Sequence, residues 1–216
     1  MSTDPVAAVP WPVFLIDDDE VVLRACVQTL KLADIRVRSF PGAEQALAAL
    51  EEEPAAVIVS DVRLGGMSGL ELLDVVHRHD AAIPVILITG HGDVTMAVQA
   101  MRAHAYDFIE KPFNDQILLD GVHHALAVDA TRRRARAQYQ ELLRRFDTLT
   151  AREQDVLRWV VAGLSNREIA ETLSLSRKTV EIHRARVMRK MEADTLSQLI
   201  QMTVAIGILK LYDPDA

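Results

Sequence analysis

Three carboxylates and one ammonium stand immediately after short apolar runs in this chain. Asp17 and Asp18 follow Val13-Phe14-Leu15-Ile16, and Asp61 follows Val57-Ile58-Val59-Ser60. Lys111 follows Phe108-Ile109-Glu110 and precedes Pro112. Adjacent carboxylates repel, so they persist at low cost only when exposed or when they share a cation. Three carboxyl groups, with backbone oxygens and waters, suit Mg²⁺, a hard octahedral ion that keeps part of its hydration. The chemistry open to such a pocket is phosphoryl transfer onto a carboxylate. Lys111 and the ion would offset the phosphoryl charge, and catalysis would rest on positioning and electrostatics.

Bringing these residues together requires a particular scaffold. Strand-like segments at 13–16, 35–39, 56–60, 84–88 and 106–109 alternate with helix-like segments at about 20–32, 43–52, 69–79, 93–103 and 114–128. Five β-α units at this spacing predict an α/β, doubly wound parallel sheet covered on both faces. Such a sheet gathers the carboxyl ends of its strands along one edge, where ligands bind. Val13–Ile16, Ala55–Val59 and Val85–Ile88 are continuously apolar, as central strands should be, whereas Ile35-Arg36-Val37-Arg38 alternates and suits an edge. The flavodoxin/CheY strand order 2-1-3-4-5 puts strand 2 at that edge.

Beyond residue 128 the composition changes. Residues 129–146 contain neither Gly nor Pro and are dominated by strong helix formers. They predict a helical linker that continues the fifth helix, with its Arg cluster on a solvated face. The rest is all helical. Thr150 and Glu153 form a T-x-x-E capping box, and Gly163 is a natural stop. Asn166 is expected to cap a short helix ending near Leu173, and Ser176 a basic helix over 177–191. Thr195 opens a last apolar helix through Ile206. Two short helices joined by the tight turn Ser174-Leu175-Ser176, the second one basic, describe a helix-turn-helix.

Charge divides along the same line. Residues 1–125 carry 19 Asp/Glu against 8 Lys/Arg, and residues 126–216 carry 12 against 16. An acidic module joined to a basic one points to a polyanionic partner for the second. The single cysteine, Cys26, excludes a disulfide framework or a cysteine-based zinc site and reads as a buried small hydrophobe. No apolar run approaches the roughly 18 residues of a membrane span, and Met1–Pro5 lacks the regions of a secretory signal. A cytoplasmic protein without a membrane partner is expected.

The strand-end motifs Leu-Ile-Asp17-Asp18-Asp, Val-Ile-Val-Ser-Asp61-Val-Arg, Ile-Thr89-Gly-His-Gly-Asp and Phe108-Ile-Glu-Lys111-Pro112-Phe resemble those of response-regulator receiver domains, most closely the FixJ type. The resemblance implies that Asp61 takes phosphate from the phosphohistidine of a sensor histidine kinase. It implies Mg²⁺ held by Asp17, Asp18, Asp61 and the Arg63 carbonyl. Thr89 would turn toward the acyl phosphate, Lys111 would pair with a phosphoryl oxygen, Phe108 would swing inward, and the bond to Pro112 would be cis. HAD-type phosphatases also use a strand-end Asp, but they need a second Asp two residues later, where this chain has Arg63. Two departures from the receiver pattern stand out. Gly65-Gly66 replaces the usual Pro at 65, which predicts a more mobile loop. His104 replaces a usual Gly and must either avoid a positive φ or bear its cost.

Thr148-Leu-Thr-Ala-Arg-Glu, Asn166-Arg-Glu-Ile-Ala and Ser176-Arg-Lys-Thr-Val-Glu-Ile-His-Arg-Ala-Arg-Val resemble the LuxR/FixJ-type DNA-binding domain. Residues 166–191 hold seven Lys/Arg and three Glu. Val180, Val187 and Met191 form the inward stripe, and Lys178, Glu181, Ile182, Ala185 and Arg189 the outward face. Glu181, Ile182 and Ala185, with Arg184 as a further candidate, would meet base edges. Lys178, Thr179 and His183 would meet phosphates, with Arg186 on the flank.

The expected organisation is a receiver over 12–127, a helical linker over 128–146, and an all-α, four-helix DNA-binding domain over 147–211. The expected function is a transcriptional regulator, not an enzyme, switched by phosphorylation. It would dimerise through a surface that includes Met96, Val98, Met101 and Phe113, bind double-stranded promoter DNA, and take RNA polymerase as a candidate further partner. The alternative is a phosphorylation-independent DNA-binding regulator that uses its receiver as a dimerisation module.

Overall fold

The computed structural model describes residues 11–90 and 94–209, with 94–97 described by their backbone. His91–Asp93, the Met96 side chain, the N-terminal residues and positions 210–211 therefore lie outside the described residues. The chain divides into two compact units, the first ending at Arg133 and the second beginning at Arg134.

In the first unit the strands are β1 (Val13–Ile16), β2 (Val37–Phe40), β3 (Val57–Asp61), β4 (Val85–Thr89) and β5 (Asp107–Glu110). They form one parallel sheet in the order β2-β1-β3-β4-β5. The helices are α1 (Glu20–Leu32), α2 (Ala43–Glu52), α3 (Gly69–Asp80), α4 (Val94–Arg102) and α5 (Asp115–Asp147). Because side chains alternate across a strand, each strand feeds both cores. Phe14, Ile16, Ile58 and Leu87 pack with α2, α3 and α4. Val13, Leu15, Val59 and Ile86 pack with α1 and α5. Cys26 is buried in the second of these cores, as expected.

Strand β2 lies at the edge, but it begins at Val37 rather than Ile35. Helix α1 ends in a turn in which Asp34 takes a positive φ of 57° and Ile35 N–H donates to Leu30 O at 3.0 Å. Ile35 is thus a buried plug under the helix end, not a ladder residue. His104 takes a φ of 64°, so the turn before β5 keeps the conformation that favours glycine.

Helix α5 runs unbroken for 33 residues. Its first-unit portion extends to Arg133 for a specific reason. The Arg133 guanidinium lies over the Trp11 ring, 3.3 Å from its centroid, and pairs with the buried Asp129 at 2.6 Å. It also donates to Ala55 O, and Arg132 donates to Ala82 O. Both arginines reach back to the base of the sheet, and Arg133 is half-buried there while Arg132 stays exposed.

The second unit contains α6 (Ala151–Val161), α7 (Asn166–Leu173), α8 (Arg177–Met191) and α9 (Leu196–Ala205). Thr150 and Glu153 form the capping box of α6. The cap of α7 is Ser165, boxed with Glu168, and Asn166 is its first helical residue. Both residue types cap well; Ser165 wins because its partner glutamate lies three positions on. Ser176 and Thr195 cap α8 and α9. Val156, Leu157, Ile169, Val180, Val187, Met191 and Leu199 make the core.

Candidate functional site: an acidic strand-end pocket and a basic helix

The parallel register brings the ends of β1, β3, β4 and β5 to one edge of the sheet. Asp17 follows β1, Asp61 and Thr89 close β3 and β4, and Lys111 follows β5. Lys111 Nζ donates to Asp17 Oδ2 at 2.8 Å and to Asp61 Oδ2 in a shorter contact. The other Asp17 oxygen accepts from Asp19 N–H at 2.9 Å, and Asp61 Oδ1 accepts from Arg63 N–H at 2.8 Å. Asp17 and Asp61 are buried, whereas Asp18 is exposed. Burial pushes the Asp17 carboxyl above its usual range despite the Lys111 hydrogen bond. Burial also opposes the Lys111 charge, but its bonds to Asp17 and Asp61 outweigh that and hold its pKa up.

The remaining expected residues surround this pair. Thr89 is buried, with its hydroxyl donating to Gly90 O at 3.4 Å and its carbonyl accepting from Lys111 N–H at 2.6 Å. Phe108 is half-buried against the α2–α3–α4 core. The Lys111–Pro112 peptide is cis. Val98 and Met101 are exposed and Phe113 is half-buried.

Lys111 occupies the space between Asp17 and Asp61. Among the described residues no three His, Cys, Asp or Glu side chains converge so as to hold a metal ion. The donor chemistry still suits a hard divalent cation. Two buried carboxylates share one ammonium, with the exposed Asp18 next along the chain, and the remaining negative charge is buried at a cost that a cation would relieve.

Two contributors carry no motif signal. Gly69, the first residue of α3, packs so closely that a Cβ there would overlap the Asp61 carbonyl oxygen and lie 3.0 Å from Val62 Cα. Glu44, in the first turn of α2, accepts from Met67 N–H at 3.0 Å, which pulls its carboxyl below the usual range. The glycine-bearing loop is therefore held from outside. A glutamate at a helix start ordinarily reads as a partner of the helix dipole, so only the fold reveals this role.

In the second unit Lys178, Glu181, Ile182, Ala185, Arg186 and Arg189 are exposed on α8, while Val180, Val187 and Met191 are buried. Thr179 and His183 are half-buried; Thr179 bonds the Ser176 cap, and His183 Nδ1 is buried without a partner among the described residues. Arg184 donates to Asn166 Oδ1 at 3.1 Å, which ties α8 to the start of α7. Lys190 Nζ donates to the buried Glu153 carboxylate at 2.6 Å and to Thr148 O at 2.8 Å. Burial opposes the Glu153 charge, but Lys190 and Thr150 N–H outweigh it and hold the carboxyl low. Arg145 reaches Met191 O and Glu192 at the end of α8. Helix α8 is thus buttressed at its middle and at its C-terminal end.

A flavodoxin-like sheet with an acidic carboxyl edge, followed by a helix-turn-helix with an exposed basic face, defines a DNA-binding response regulator. Family models agree with that class. The response regulator receiver domain matches residues 13–123, and the luxR family of bacterial regulatory proteins matches residues 147–203. The chain belongs to the FixJ/LuxR type of transcriptional response regulators. It is 41% identical over 201 residues to the transcriptional regulatory protein FixJ of Rhizobium meliloti, covering 91% of this chain and 97% of that one. It is 40% identical over 196 residues to nodulation protein W of Bradyrhizobium diazoefficiens, covering 91% and 86%. Among solved structures, the response regulator StyR matches with a TM-score of 0.80 at 36% identity, covering 89% of this chain and 98% of that one. Full-length FixJ from B. japonicum matches with a TM-score of 0.57 at 35% identity, covering 94% and 100%. Among the described residues no helix is long and apolar enough to cross a membrane.

Proposed function

We propose that this regulator is switched by phosphorylation of Asp61 by a sensor histidine kinase, and that the phosphorylated form dimerises on promoter DNA in the cytoplasm. The observation that carries the reading is the Lys111 ammonium seated between Asp17 and Asp61. An Asp61 oxygen would attack phosphorus as the P–N bond of the kinase phosphohistidine breaks, leaving the electron pair on the imidazole nitrogen. Lys111 would follow a phosphoryl oxygen, and the Thr89 hydroxyl would give up Gly90 O to bond the new acyl phosphate. The vacated space beside Thr89 would admit Phe108.

Asp17, Asp18, Asp61 and the Arg63 carbonyl would hold Mg²⁺, which when bound neutralises charge on the phosphoryl oxygens. The exposed Val98 and Met101, with Phe113, would contribute to the dimer surface. Moving such a switch from 1:99 to 99:1 takes about 5.5 kcal/mol. Joining two half-site contacts would then raise affinity through effective concentration. On α8, Glu181, Ile182 and Ala185 would meet base edges, and Lys178, Thr179, His183 and Arg186 phosphates. Arg184, held by Asn166, fits a buttressing role better than a base contact. RNA polymerase is a further proposed partner.

The test loads the protein with Mg²⁺ and either acetyl phosphate or beryllofluoride, then measures dimerisation and DNA affinity. Wild type should respond and Asp61→Asn should not. Equal behaviour of the two proteins sinks the reading.

A further inference from the structure

The segment from Val62 to Ser68 borders both acidic residues: Arg63 N–H donates to Asp61 Oδ1 at 2.8 Å, and a Cβ on Gly65 would lie 3.7 Å from Asp18 Oδ2. Its two ends are fixed by the fold. Val62 N–H donates to Ile88 O at 2.8 Å, Gly69 N–H donates to Val62 O at 3.0 Å, and Ser68 is boxed with Glu71 at the start of α3. Between those ends, Leu64, Gly65 and Gly66 donate no backbone hydrogen bond to another backbone group among the described residues. Two adjacent glycines give that middle stretch more conformational freedom than any other pair would. Left to itself, the stretch would spread over many conformations, and the Arg63 carbonyl would spread with it.

One side chain opposes this from across the fold. Glu44 Oε1, 23 residues earlier, accepts from Met67 N–H. A Cβ on Gly66 would lie 2.8 Å from that same oxygen, so the carboxylate is seated directly against the glycine backbone. On Gly65, a Cβ would lie 3.7 Å from Asp18 Oδ2, in ordinary contact. The glycine pair is therefore flanked by the Glu44 carboxylate and by a carboxylate of the acidic pocket. The Glu44 carboxylate lies against the Gly66 backbone, where a side chain would have to push it aside, and Glu44 restrains the loop that the glycine pair leaves free.

We infer that Glu44 is a positioning residue for the phosphoacceptor pocket, holding the Gly65–Gly66–Met67 backbone so that the Arg63 carbonyl stays aligned with Asp61 and Asp18. This rests on the phosphorylation reading above. Glu44 touches neither phosphate nor ion; it acts through Met67. In place of the loop proline common in receivers, this chain uses a hydrogen bond from a neighbouring helix.

The restraint has the strength of one hydrogen bond, so its loss corresponds to about a fivefold effect. In Glu44→Ala, hydrogen exchange at Met67 N–H in Mg²⁺-free protein should accelerate about fivefold while Tm changes little. The Mg²⁺ concentration for half-maximal phosphorylation by acetyl phosphate should rise about fivefold, with the rate at saturating Mg²⁺ nearly unchanged. Glu44→Gln keeps an acceptor oxygen and should stay close to wild type. Gly65→Pro, which pre-sets φ at a position whose φ is not positive, should restore the Mg²⁺ dependence of Glu44→Ala. Unchanged exchange at Met67 in Glu44→Ala overturns the inference, and so does faster exchange with an unchanged Mg²⁺ half-point. A wild-type protein that takes up no phosphate refutes the phosphorylation reading instead, and the exchange measurement still tells the two failures apart.

Discussion

Lys111 Nζ donates to Asp17 Oδ2 at 2.8 Å across 94 positions of sequence. The ammonium contributes most to the folded protein by answering a charge that burial would otherwise penalise. It does not answer it fully, because the Asp17 carboxyl remains above its usual range. The folded protein therefore holds the Asp17 proton more tightly than the unfolded chain does. Below the ordinary carboxylate value the cost is absent; it appears as pH rises through the raised value and is complete at neutral pH. Asp17→Asn, without divalent metal, should therefore raise the stability of the first unit relative to wild type at pH 7, and by much less at pH 4. Thermal unfolding at the two pH values checks this, and an unchanged or lower Tm at pH 7 counts against it.

Gly69→Ala should damage the pocket without touching an ionisable group. The new Cβ would collide with the Asp61 carbonyl, which is backbone and cannot swing aside. Overpacking of this kind costs about 1–3 kcal/mol, and the displaced Asp61 should accept phosphate at least tenfold more slowly. Urea unfolding and acetyl phosphate uptake measure the two effects. Wild-type uptake would show that the close approach does not matter to the acceptor.

His104 has the opposite sign. Its φ of 64° is costly for a residue with a Cβ. Glycine relieves that cost but gains freedom in the unfolded chain, so His104→Gly should stabilise by about 0.5–1 kcal/mol. A Tm lower than that of wild type would mean that contacts of the histidine ring outweigh the backbone cost.

On α8 the exposed Glu181 stands among basic neighbours that would face DNA. A carboxylate there repels phosphate everywhere and gains only at a suitable base, by accepting from a cytosine amino group. Glu181→Ala should therefore tighten binding to random DNA several-fold while discrimination against non-operator sequence falls by about 1–3 kcal/mol. Isotherms on operator and scrambled duplexes at one salt concentration separate the effects. Equal weakening on both duplexes would mark Glu181 as structural.

Much of this molecule is legible in its sequence because the information is local. Continuous apolar runs identify the central strands, and the acidic residues after them locate the carboxyl edge. Cap residues at 150, 176 and 195 place helix starts. Misreadings arise where two local signals compete or where a contact is distant. Ser165 and Asn166 both cap well, and only the reach of Glu168 decides between them. Ile35 alternates like a strand residue but plugs a helix end. Trp11 meets Arg133 from the far end of the first unit, and Glu44 meets Met67 across a turn of the fold; no periodicity announces either pair.

The outward face of α8 has one more consequence. Lys178, Glu181, Ile182 and Ala185 are exposed, while the helix is held in place by Val180, Val187, Met191, Arg184 and Lys190, none of which lies among them. Substitutions at those four positions leave the supports intact. With the base-edge and phosphate contacts proposed for this face, exchanging surface letters alone would move a lineage from one operator to another, and gene duplicates would diverge in target without passing through an unstable intermediate.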